Sequence, residues 1–158
     1  MTKINDSGQA LVEFALSLMI FFLLVFGTMD FANLFYHKVT LQNAVRQAGR
    51  YAITGQCILG SKGACSMSRY LSIQQVLETA SAGILNSSNI TTDSTIVCTN
   101  KGGGCPTGAG GPGDLVTITV TYQYRFMTAP IATFFKGSTY KLVVSSAFIN
   151  EPFPPGES

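Results

Sequence analysis

The sequence predicts an α+β protein: a long, hydrophobic amino-terminal helix packed on a small antiparallel β-sheet domain that carries a second, short helix. Three observations predict it. One apolar block is long enough for a membrane helix, helical spacing of apolar residues continues past that block, and two late segments alternate with the period of strands. The 158 residues allow one ordinary domain plus an appendage. Only 11% are charged and 46% are hydrophobic, against about 25% charged in typical soluble domains, so this is not a disordered tail. A formal net charge of +2 gives no broad basic face, and no nucleic-acid partner is expected.

The first element is the apolar block, Ala10 to Met29, ALVEFALSLMIFFLLVFGTM, whose one charge is Glu13. Twenty helical residues span about 30 Å, the thickness of a bilayer hydrocarbon core. A cleaved secretory signal is the competing reading, because Lys3 lies ahead of the block. Signal cores are shorter and end in small residues, whereas this block exits through Asp30 and Phe31, so retention as an anchor is expected. Beyond it Leu34, Lys38, Leu41, Val45, Ala48 and Ala52 recur at steps of three and four. Phe31, Phe35 and Val39 are expected to widen that stripe. One helix from about Ala10 to Ile53 follows, roughly 65 Å long.

Lys38, Arg46 and Arg50 follow the anchor while Lys3 precedes it, which by the positive-inside rule favours a cytoplasmic carboxyl side. The cysteines argue the reverse. Cys57 and Cys65 enclose seven residues and Cys98 and Cys105 enclose six, all in turn-rich segments, as local disulfides of an oxidising compartment would. Zinc is the alternative, but neither spacing fits the usual knuckle, and the single His, His37, is far away in sequence. The expectation is disulfides and no metal, with 57 to 65 plus 98 to 105 the local choice among the three possible pairings, and a carboxyl side outside the cytoplasm.

A carboxylate inside an apolar helix is costly and usually has a partner or a task. By itself Glu13 reads equally as an acid of the first helical turn, stabilised by the helix dipole. Its setting adds more: Gly8-Gln9-Ala10-Leu11-Val12-Glu13-Phe14 follows a short polar leader, MTKINDSG. This arrangement resembles the processing site of type IV prepilins, where a prepilin peptidase cuts after a glycine and leaves glutamate as the fifth mature residue. With the following MDFANLFYHKVTLQNAVRQAGRYA, the stretch from Gly8 to Ala52 resembles the TadE-like family, pseudopilins of the tight-adherence (Tad, or Flp) pilus. The resemblance implies a pilin-like architecture, cleavage between Gly8 and Gln9, and a role for Glu13 and Phe14 in assembly. It also implies that the new terminal amine of one subunit meets the glutamate of a neighbour. Beyond Ala52 it is architectural only.

The remaining elements are read from residues. Arg69 to Leu85 places Leu71, Val76, Leu77, Ala80 and Ile84 near one face, a second helix that Ser68 can cap. Thr95 to Cys98 is a short strand, and Lys101 to Gly113 a glycine-rich loop with no phosphate-binding pattern. Asp114 to Phe126 alternates, with Val116, Ile118, Val120, Tyr122, Tyr124 and Phe126 on one face. Tyr140 to Ile149 is its antiparallel partner. Between them Ile131, Phe134 and Phe135 either fill the core or form a contact patch. Pro152, Pro154 and Pro155 close the chain in a flexible tail. Sequons at Asn86 and Asn89 carry no weight in a chain rich in Ser and Thr.

The expected organisation is a leader, 1–8; a long helix, 9–54, membrane-embedded over about 10–29; and an extracytoplasmic α+β domain, 55–158, with its tail at 151–158. No nucleophile has a base beside it by sequence logic, so neither an enzyme nor a cofactor is expected. The resemblance implies a pseudopilin or minor pilin that initiates, caps or supports a type IVb pilus used for adherence. It would be a single-pass protein of the bacterial inner membrane and enter the pilus on assembly. Its implied partners are a prepilin peptidase, other pilin or pseudopilin subunits, the inner-membrane assembly platform and membrane lipid. The alternative is a single-pass envelope protein whose outer domain binds an extracellular ligand or surface.

Overall fold

The computed structural model describes residues 6–59, 67–86, 94–100, 103–104, 109–128, 132–133 and 139–152, and of these only the backbone of 6–7, 94–100 and 103–104. Ile131, Phe134, Phe135, Cys65, Cys105, the Asn89 sequon and the end of the proline-rich tail lie outside the described residues. The elements are α1 (Asp6–Ile53), α2 (Arg69–Ala80), β1 (Ser94–Asn100), β2 (Gly103–Gly104), β3 (Leu115–Arg125) and β4 (Thr139–Ile149). The fold is α+β, with a long first helix, a short second one and an antiparallel sheet, as the residue patterns predict.

The strands form one four-stranded sheet in the order β2-β1-β3-β4. β1 runs antiparallel to β3, with Ile96 opposite Ile118 and Cys98 opposite Val116. It also pairs with β2, Thr99 opposite Gly104 and Asn100 opposite Gly103. Part of the expected glycine-rich loop is therefore a strand, because glycines can complete a tight hairpin as readily as a loop. The Gly113 N–H donates to the Asn150 carbonyl and the Asn150 N–H to Asp114, which sets the end of β4 beside the start of β3, the antiparallel sense.

By contact the chain divides into two compact units, Met1–Phe35 with Tyr124–Tyr140, and Tyr36–Gln123 with Lys141–Ser158. The second holds the core. From α1 it takes Leu41, Ala44, Val45, Ala48 and Ala52, from α2 Ile73 and Leu77, and from the sheet Val116, Ile118, Val120 and Val144. The helical residues fall at steps of three, four and seven, the period that keeps one stripe inward. Three of those five are alanines, and next to Ala48 a β-carbon on Gly49 would come within 2.1 Å of the Phe148 ring. Small residues let the sheet's aromatic ring approach the helix backbone.

Two expected elements differ in extent or facing. α1 begins at Asp6, ahead of Ala10. α2 stops at Ala80 because Ser81 takes over as its terminus: its hydroxyl donates to the Glu78 carbonyl at 2.7 Å and accepts from the Leu85 N–H at 3.1 Å. Ala82 and Gly83 then turn left-handed. The buried residues of α2 are Arg69, Ser72, Ile73, Gln74 and Leu77, and Leu71, expected inside, is about half exposed at 49%. Ser68 caps the helix as expected, accepting from the Leu71 N–H at 3.4 Å.

Candidate functional site

The candidate site is the outer stretch of α1. From Gly8 to Phe26 every residue is exposed, including Leu11, Val12, Phe14, Leu16, Met19, Phe21 and Leu24. Leu, Phe, Met and Ala sustain a helix in the absence of packing partners, so this stretch keeps its form while leaving its whole apolar circumference open. The helix is long and apolar enough to cross a membrane, and its most apolar window has no residue buried in the protein. A soluble core helix of this composition would be covered.

On this helix Gly8 and Gln9 are consecutive and Glu13 lies one turn on from Gln9, so their side-chain positions share a face. Phe14, adjacent, is 64% exposed. The Gly8–Gln9 peptide lies inside the helical span, and a β-carbon on Gly8 would meet nothing within 4 Å. The glycine is thus not required by packing.

Where the apolar run ends, the first unit holds a carboxylate. Asp30 is 2% exposed. It accepts the Met127 N–H at 3.1 Å and the Thr128 N–H at 3.0 Å, and the Thr128 hydroxyl also donates to it. Burial pushes its carboxyl up, but the bonds from Thr128 and Met127 outweigh this and hold it below the usual carboxylate range. The Tyr124 hydroxyl donates to the Asp30 carbonyl at 3.3 Å, and Tyr124 meets Phe126 edge to face. Asp30 was read in the sequence only as the residue at which the block ends.

In the second unit Arg69 is 3% exposed. Its guanidinium donates to the carbonyl of Ala52, near the carboxyl end of α1, at 2.6 Å, and to the carbonyl of Gly110. Burial pushes its guanidinium down. Asn150 donates through Nδ2 to Ala109 at 3.0 Å and to Gly111 at 2.9 Å. These are structural ties between distant segments. His37 stacks on Tyr122, ring centroids 5.6 Å apart. An open polar groove between α1 and β4 is lined by Lys38, Gln42, Arg46, Ser145 and Ser146. Among the described residues no three His, Cys, Asp or Glu side chains gather as a metal ion needs.

The expected stripe on α1 is partly corrected. Leu41, Val45, Ala48 and Ala52 are buried, but Phe31, Phe35 and Val39 are exposed, at 45%, 59% and 61%. They prolong the open face of the helix. Among the described residues there is no free cysteine thiol. Cys57 is half-buried just after α1, and Cys98 lies in β1.

Residues 8–50 match the family model described as TadE-like protein. No curated protein and no solved structure matches the chain. The matched stretch starts at the glycine before the expected cut and ends within a turn of the end of α1. Over residues 8–50, the helix that carries the candidate site, the chain is similar to the TadE-like protein family.

Proposed function

We propose that this chain is a pseudopilin or minor pilin that initiates, caps or supports assembly of a type IVb (Tad) pilus used for adherence. The likeness of residues 8–50 to the TadE-like family points to a Tad pilus-related component. The observation that carries the finer reading is Glu13 on a helix whose apolar circumference is open on every side. Such a surface suits two successive environments: lipid before assembly and neighbouring helices after it. A carboxylate in either asks for a cation, and the amine freed by cleavage before Gln9 is that cation, supplied by an adjacent subunit. Their attraction is stronger in a medium of low dielectric than in water.

In this reading a prepilin peptidase removes residues 1–8. The helix stays in the inner membrane over about 10–29, the assembly platform lifts it out, and the carboxyl domain lies outside the cytoplasm. Disulfides 57 with 65 and 98 with 105 staple that domain, each contributing about 2 to 3 kcal/mol for loops this short.

The deciding experiment deletes the gene in the native host and looks for pili, then probes sheared filaments for the complemented protein. Lost or sparse pili, restored on complementation, support the reading. Normal pili with lost surface binding would support a ligand-binding envelope protein instead.

A further inference from the structure

Met127 and Thr128, just after β3, have no assigned role, yet their placement against α1 is tightly specified. Both ends of Met127 are tied to the helix: its N–H donates to Asp30 at 3.1 Å, and its sulfur accepts from the Asn33 side-chain amide at 3.8 Å. Asp30 and Asn33 lie about 1.5 and 6 Å along the axis beyond Met29, where the apolar run ends. The headgroup region adds about 5 to 7 Å to each side of a hydrocarbon core. Met127 is therefore held at headgroup height once residues 10–29 fill the bilayer. It is 81% exposed, more than any other large apolar side chain described. Phe31 is exposed on the helix within the same interval, and Met29 at its edge.

We propose that Met127, with Met29 and Phe31, forms an apolar collar that seats the first unit in the bilayer interface, a second lipid contact besides the helix itself. The occupant is lipid because the collar continues an uncovered helix that ends at that height. The charge that would oppose contact there has also been withdrawn. The Asp30 carboxylate is buried and satisfied by the loop's own donors, so what faces outward is thioether and ring, not anion. The burial of Phe126 at 5% and the exposure of Met127 divide the loop into an inward aromatic and an outward, flexible side chain suited to disordered acyl chains.

This rests on the membrane reading of α1, and one experiment separates the two. The chain contains no tryptophan, so single Met127→Trp, Phe31→Trp and Phe22→Trp variants of the full chain each carry one reporter. They are reconstituted in phosphatidylcholine–phosphatidylglycerol vesicles whose lipids are brominated near the glycerol end or near the chain terminus. Met127→Trp is expected to emit to the blue of N-acetyltryptophanamide in buffer and to be quenched more by shallow than by deep bromines. Phe31→Trp is expected to match it, which keeps the test intact if one variant misfolds. Emission and acrylamide quenching like the free probe would overturn the collar. A blue shift without bromine quenching would do so too, and would name a protein neighbour instead. Phe22→Trp reports the anchor: if deep bromines quench it while Met127→Trp stays in water, the helix spans and the collar is wrong. If no bromines reach it, the membrane reading fails and the collar with it.

Discussion

Asp30 shows how one residue can set a local structure that composition does not announce. A buried carboxylate is expensive unless its lone pairs are filled, and three donors from Met127 and Thr128 fill them. Asp30→Asn keeps one acceptor oxygen but turns an amide toward N–H donors, so about 1 to 3 kcal/mol of stability should be lost. Chemical unfolding of the full chain in detergent, with wild type alongside, would measure it. The pH dependence has a definite sign. Because the folded carboxyl titrates below its ordinary value, its contribution is complete above the unfolded pKa, about 3.9. It disappears as the pH falls through the lowered folded value. The acid limb of stability against pH should flatten in Asp30→Asn, and an unchanged limb would mean that the hydrogen bonds do not hold the carboxylate. Asp30, Arg69 and Asn150 all escaped the sequence reading for one reason. Their partners lie between 17 and 98 positions away, and no local period reports a polar side chain's distant carbonyl or amide.

At the scale of elements, local patterns carried most of what was legible. The alternation of β3 matched its burial at Val116, Ile118, Val120, Tyr124 and Phe126, since a half-buried strand has only two faces to choose between. Helix stripes were read less well. Phe31, Phe35 and Val39 are apolar and at helical spacing, yet they face outward, because spacing identifies an apolar face without saying whether protein, lipid or another subunit covers it. The end of α2 depended on the Ser81 hydroxyl, a detail that propensity does not contain. The α1–sheet contact supplies a test. Alanine in a helix is favoured over glycine by about 0.8 to 1.0 kcal/mol, but at Gly49 its methyl would collide with the Phe148 ring, and overpacking costs about 1 to 3 kcal/mol. Gly49→Ala should thus be neutral to destabilising in the wild-type background. In Phe148→Ala, with the ring gone, it should stabilise by about 1 kcal/mol. A double-mutant cycle by urea unfolding measures that coupling, and additive effects would mean that the ring and helix do not meet.

For the whole molecule, the low charge and high apolar content are an average over two environments. One is a helix whose outer half buries nothing in its own chain; the other is a domain with an ordinary small core. On the proposed function such a helix is delivered to lipid first and to neighbouring helices afterwards, and the two steps make separate demands on Gly8 and Glu13. A β-carbon at Gly8 meets nothing within 4 Å and the position is exposed, so Gly8→Leu should leave the fold intact while blocking the peptidase. Intact mass from the native host should then show the leader retained, against a wild-type chain beginning at Gln9. Glu13→Gln should give the opposite pattern, since an amide is no obstacle to insertion or cutting but offers the neighbour's amine no charge. Its mature mass should be that of wild type apart from the substitution, and its recovery with sheared filaments should fall severalfold. If Glu13→Gln assembled normally, the carboxylate would be a helix-start acid stabilised by the helix dipole. If wild type kept its leader, the processing site would be only a chance likeness, and the exposed helix would have to be explained as an anchor alone.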